Sequence, residues 1–156
     1  HSNLLTDALD ETPLTTAIGY LMAQAYPNST DKMGLTPRTL VTSMSPTQIK
    51  KAYELTTAAY GNNNTVADWA QQLGIRPVIN PHTADLTDWY LFADPETAPI
   101  IEAGFLNGNR EPEIQSAMSN GIGDWFTKRD AQFRLEHAYN ATWVSYKGAV
   151  AGIVAD

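Results

Sequence analysis

An α+β fold is what this sequence predicts, and three observations point to it. Amphipathic helical stripes fill the first half of the chain, strand-like runs fill the second, and the two textures are not interleaved. Regular alternation of strand and helix would instead predict a doubly wound parallel sheet. The 156 residues suit one domain, or a small domain with part of another, and a hydrophobic fraction of 43% is enough for a real core.

Leu4, Leu5, Ala8 and Leu9 form a short helical pattern. Thr12-Pro13 reads as a helix start, with Thr as cap and Pro at the first helical position. Leu14, Ala17, Ile18, Leu21, Met22 and Ala25 then line one helical face, and Tyr26-Pro27 ends it. A polar loop covers Asn28 to Gly34, and Thr39 to Thr42 is a short strand. Ser45-Pro46-Thr47-Gln48 reads as a capping box, in which Ser45 caps the helix and Gln48 reaches back. Ile49, Ala52, Tyr53 and Thr56 form that helix's inner stripe, with Gly61 as its left-handed stop. After the turn cluster Asn62-Asn63-Asn64, a short helix capped by Thr65 places Val66, Trp69, Ala70 and Leu73 inward and ends at Gly74.

From Ile75 the pattern is extended. Pro77-Val78-Ile79, Asp88 to Ala93, Ile100 to Leu106 and Ile114 to Met118 are the strand candidates. Asn107-Gly108-Asn109 and Asn120-Gly121 are turn signals. Lys128, Asp130, Gln132, Arg134 and Glu136 alternate with Arg129, Ala131, Phe133, Leu135 and His137, a period-two strand with one wet face. Ala138 to Val144 stays extended, Tyr146-Lys147-Gly148 turns, and Ala149 to Val154 is a final apolar run.

A formal net charge of −7 argues against a nucleic-acid binder, which needs a basic surface to displace phosphate counterions, so no specific nucleic-acid partner is expected. The chain has no cysteine, which removes disulfide scaffolds and thiolate metal sites. No apolar run approaches the ~20 residues that span a bilayer, so no membrane partner is expected. The sequence opens His1-Ser2 without Met or a basic-then-apolar leader. It therefore reads as a cut or processed piece, with His1 and Ser2 set aside as tag remnants.

Chemistry-bearing residues are sparse. His82 and Asp85 have ligand-like spacing but lack the convergent third and fourth ligands of a metal site. His137 reads as a partly buried sheet residue rather than a base. Asp94, Glu96 and Glu102 read as turn and surface carboxylates around Pro95, not as an acid–base pair. Gly121-Ile122-Gly123 lacks the third glycine of a phosphate loop, and Ser43 and Ser45 have no neighbouring base. Lys128, Arg129 and Arg134 read as a solvated strand face. Of the tryptophans, Trp89 is assigned to the core, while Trp125, beside a Gly-rich turn, fits core packing and an exposed subunit contact almost equally. No catalytic residue, cofactor or metal is expected.

The order of these features resembles tailed-bacteriophage major capsid proteins. The resemblance is carried by Leu35 to Thr42 after the amphipathic helix and by the capped helix with Pro46, Ile49, Ala52 and Tyr53. It continues through Ile75 to Pro81, Asp85 to Asp94, Phe105 to Gly108, Glu111 to Ile114 and the close at Val144 to Ala149. Ser145-Tyr146-Lys147-Gly148 departs from the acidic-aromatic-basic close of that family. The nearest style is that of Mu-like major head subunits and of capsid domains fused to a prohead protease.

The resemblance implies the Hong Kong 97-like capsid fold. Residues 30–120 would be axial-domain-like, and residues 1–29 with 121–156 peripheral-domain-like. The N-terminal arm, extended loop and much of the spine helix would precede residue 1, leaving this piece a monomer or weak oligomer. The implied role is a structural subunit of a phage or prophage icosahedral head, assembled in the bacterial host cytoplasm and carried in the virion. Its partners would be copies of itself in hexamers and pentamers, with scaffold, protease or portal proteins besides. Loops at sheet ends are free to meet neighbours. On that ground the contact candidates are Asn62, Asn63, Asn64, Asn107, Asn109, Arg110, Glu111 and Trp125. The competing readings are a tail or head–tail adaptor and a small hydrolase using His82 or His137.

Overall fold

The structure, a computed structural model, describes residues 3–57, 65–83, 85–116 and 133–154. In chain order the first elements are β1 (Leu4–Leu5), α1 (Glu11–Ala23), β2 (Pro37–Ser43), α2 (Pro46–Thr56), α3 (Thr65–Gln72), β3 (Arg76–Asn80) and β4 (Trp89–Ala93). Then come β5 (Ile101–Phe105), a 3-10 turn at Leu106–Gly108, β6 (Glu113–Ser116), β7 (Phe133–Glu136), β8 (Tyr139–Trp143) and β9 (Ala149–Gly152). The chain divides into two compact units, one of His1–Ile100 with Val144–Asp156 and one of Ile101–Trp143. β7 and β8 thus group with residues 101–116 and not with the helices, while β9 belongs to the first unit.

The first unit is a five-stranded sheet in the order β1-β9-β4-β2-β3. β2 and β3 run parallel, joined by a crossover through α2 and α3, while β4 is antiparallel to both β2 and β9. The mixture of helices and sheets agrees with the α+β expectation, with one β–α–α–β crossover embedded in it. Residues opposite one another across a ladder share a face. Leu40, Leu91 and Val150 form one such row and Thr42, Trp89 and Gly152 the next. Leu40, Thr42, Trp89, Leu91 and Val150 are all fully buried. Leu40, Trp89, Leu91 and Val150 share a single core with Leu14, Ala17, Ile18 and Leu21 of α1, Ala52 and Leu55 of α2, and Ala70 of α3. Each large side chain so buried contributes about 1.5–3 kcal/mol. Trp89 also has its indole N–H satisfied, donating to the Asp7 carbonyl at 3.0 Å. Val41, Tyr90, Phe92 and Ala151 line the other face, which is only half-buried; the Tyr90 and Phe92 rings stack with centroids 6.3 Å apart.

Several local expectations are corrected. The cap of α1 is Asp10, not Thr12: its carboxylate accepts the Glu11 N–H at 2.7 Å, and the helix begins two residues earlier than Pro13. Pro13 is tolerated because it still lies in the turn whose N–H groups lack intrahelical partners. Met22 is 37% exposed and so leaves the inner stripe. Leu4 and Leu5 form a strand, not a helix, because four periodic residues cannot nucleate one and β9 offers them a ladder. Asn3 fixes that strand by donating to the carbonyls of Tyr146 and Ala149 at 2.9 and 3.0 Å. Ser45 occupies the N-cap of α2 without a side-chain bond, and Gln48 instead donates to the Thr87 carbonyl at 3.3 Å, so the capping box is not formed. The inner stripe of α2 uses buried Leu55, while Tyr53 is 39% exposed. α2 ends at Thr56; Gly61 lies outside the described residues.

No basic residue lies in the last turn of α1. Two lysines remote in sequence complement its C-terminal end instead, Lys32 donating to the Ala23 carbonyl and Lys147 to that of Ala25, each at 2.8 Å. Both positive charges sit where the helix dipole is negative.

Candidate assembly surface

The second unit is a ribbon of paired strands. β5 pairs antiparallel with β8, and β6 with β7. Within the first pair, Ile101 faces Trp143, Ala103 faces Ala141 and Phe105 faces Tyr139; Glu102 with Thr142 and Gly104 with Asn140 occupy the opposite side. Period-two sequences sort in this way because successive side chains point to opposite faces. The result is one face that is apolar throughout and one that is polar. In the second pair, Ile114 with Leu135 and Ser116 with Phe133 form the apolar side, and Glu113 with Glu136 and Gln115 with Arg134 the polar side.

The alternation of Arg134, Phe133, Leu135 and Glu136 is as expected, but the apolar side is not a covered one. Phe133, Leu135, Ile114, Tyr139, Ile101 and Trp143 are each 58–68% exposed. A two-stranded ribbon is marginal by itself in water, and its stability normally comes from packing one face on something else. Contiguous exposed apolar area beyond a few hundred Å² marks an interaction site.

Between the two pairs the ladder breaks. Asn107 and Gly108 both adopt positive φ, 55° and 74°, at a turn that Leu106 opens with its N–H on the Ala138 carbonyl at 3.1 Å. His137 sits in the two-residue gap between β7 and β8, half-buried, its ring 5.9 Å from that of Phe105 and 4.9 Å from that of Tyr139. Its Nε2 is buried without a partner. Asn107, Asn109, Glu111, Glu113 and Glu136 surround it in a shallow concavity. Asn107, Asn109 and Glu111, three of the expected contact residues, thus meet at one place, and they and Arg110 are exposed. Asn62, Asn63, Asn64 and Trp125 lie outside the described residues. Glu113 and Glu136 are directly opposed, and local partners offset their repulsion: Gln115 donates to Glu113 at 2.9 Å and Arg134 to Glu136 at 2.7 Å. Lys128 and Arg129 are outside the described residues.

The other candidates have local structural partners. Asp85 accepts from the hydroxyl and the N–H of Thr87, at 2.6 and 2.7 Å, and these bonds hold its carboxyl below the usual range. The His82 N–H is bound by Asn80 at 3.0 Å, and among the described residues no three His, Cys, Asp or Glu side chains converge as a metal site would require. Asp94 organises its turn, accepting the Glu96 N–H at 3.1 Å and facing Arg38 at 3.9 Å. Ser43 donates its hydroxyl to the Leu86 carbonyl. Burial, with the nearby Asp88 carboxylate second, raises the Tyr90 phenol. Among the described residues, no helix is long and apolar enough to cross a membrane.

These features describe a protein whose most conspicuous surface is apolar and whose polar side chains serve the fold, the profile of an assembly subunit. A family model for phage capsid proteins matches residues 2–152, nearly the whole chain, and the chain belongs to that family. No curated protein and no solved structure matches it. Membership makes it a structural protein of the virion, from a family that builds shells out of many copies.

Proposed function

We propose that this chain is a subunit of an icosahedral phage or prophage head with a Hong Kong 97-like, Mu-like shell architecture, and that its ribbon supplies contacts between copies. The observation that carries this reading is the apolar face of the β5–β8 pair, on which Ile101, Tyr139 and Trp143 are 58–68% exposed. A closed shell needs heterologous contacts whose rotation closes into rings of five or six. The Asn107–Glu111 turn, exposed at the break in the ribbon, suits such an axis contact. Scaffold, protease and portal proteins would be the other partners of such a head. An acidic shell subunit would also repel packaged DNA instead of trapping it.

Electron microscopy of the full-length protein tests the role. Shells or sheets of hexamers are expected, and isolated rings or tubes would assign it to a tail or head–tail adaptor instead. Arg110→Ala should impair particle formation while leaving the monomer folded by circular dichroism, and normal particles from that variant would remove the turn from the interface.

A further inference from the structure

The β5–β8 face has a relief as well as a polarity. Its rows run large, small, large: Ile101 with Trp143, Ala103 with Ala141, Phe105 with Tyr139. The alanines are a trough between two ridges. His137 continues the surface past the last ridge, its ring against Phe105 and Tyr139.

We propose that this face packs on the same face of a second copy, across a twofold axis that lies in the interface and crosses the strands. The inference rests on the assembly reading and specifies its partner. Shape selects the register. An axis along the strands would set ridge on ridge and alanine on alanine, leaving a void that forfeits packing contacts. An axis crossing them midway between the alanine row and the Phe105–Tyr139 row drops Tyr139 of each copy over Ala141 of the other, and Phe105 over Ala103. Ile101 and Trp143 then reach the His137 rings. Every ridge is filled by a trough or an aromatic surface, as an isologous contact requires.

Charge permits the same partner. Two identical chains of net charge −7 repel unless they meet on neutral ground. This face carries no charged side chain, since Glu102 points to the opposite side. The area is sufficient as well. With aromatic and aliphatic side chains burying about 150–250 Å² each when fully covered, the face offers roughly 500 Å² per copy, so the pair reaches the ~1,000 Å² expected of a specific interface.

The test exploits the reciprocity. Ala141→Leu fills the trough and Tyr139→Ala removes the knob, so each variant alone is expected to self-associate about tenfold more weakly than the unaltered chain in sedimentation velocity. Mixed together they should recover, because the leucine introduced into the trough of one copy meets the space left by the shortened knob of the other, while the second contact is native. Failure of the mixture to recover overturns the twofold register. Unchanged self-association of both single variants overturns the face as an interface; shells still visible by microscopy would then leave the capsid role standing. Ala141 is exposed, so Ala141→Leu should not lower the thermal melting of the dilute chain. A lowered melting temperature would mean that the face is covered within its own chain, which also overturns the proposal.

Discussion

Gly152 and Trp89 approach each other closely in the core. The two residues are paired across β9 and β4, and a Cβ built on Gly152 would collide with the indole ring at Cε2, Nε1 and Cζ2. Trp89 has no room to retreat: it is fully buried, and its N–H is held by the Asp7 carbonyl at 3.0 Å. Gly152→Ala must therefore displace the ring. Overpacking costs about 1–3 kcal/mol, and breaking the indole bond leaves a carbonyl short of its partner for about 1–3 more. A total of about 2–6 kcal/mol is a large part of the 5–15 typical of a domain. Trp89→Leu removes the ring that the added methyl would strike, so Gly152→Ala should be far milder in that background. Urea denaturation of the wild type, both single variants and the double variant gives the coupling directly, and a favourable interaction of about 1 kcal/mol or more is expected. Additivity within about 0.5 kcal/mol would show that the glycine is not there to admit the indole, and the reasoning would fail.

Other perturbations separate the forces at single residues. Asp10 caps α1 and also meets Lys51 Nζ at 3.1 Å, with its side chain 60% exposed. Asp10→Ala should cost about 1 kcal/mol in urea melts; Asp10→Asn keeps the cap and should lose only a few tenths, the usual value of an exposed pair. The Glu11 N–H, and after it Lys51, hold the Asp10 carboxyl below its ordinary value. The folded pKa is thus the lower one, so this contribution is full above about pH 4 and fades as pH falls through the depressed value; the Asn variant should lack that dependence between acid and neutral melts. Leu55→Ala, at a position 1% exposed, should cost about 2–5 kcal/mol by chemical denaturation, and a cost under 1 would contradict its place in the core.

The elements that were legible in the sequence are those whose signals are local. The compact aromatic run Trp89 to Ala93, bounded by Asp88 and by Asp94-Pro95, and the stripe Leu14, Ala17, Ile18, Leu21 each have a pattern that one structure satisfies. Caps were less legible because several residues compete for one N–H: Asp10 and Thr12 are both good caps, and the chain uses the earlier. Gln48 was misassigned because a loop carbonyl at Thr87, 39 positions away, outcompetes the local amide. For the ribbon, period two separates an apolar from a polar side, but whether that side is covered depends on chains and segments beyond it. The meeting of Asn107, Asn109 and Glu111 with His137 was likewise hidden, since it follows from β5–β8 and β6–β7 pairing across a long stretch of sequence.

The ribbon leaves and rejoins the first unit at a single seam, where the Val144 N–H meets the Ile100 carbonyl at 2.8 Å. A chain that departs and returns at adjacent points has the geometry of a cassette. Closing Ile100 to Val144 with a short turn should preserve the five-stranded sheet, because among the described residues no strand of that sheet comes from the excised stretch. Foreign sequence can enter by the same seam. A stretch inserted in this way is free to diversify while the fold that supports it stays put.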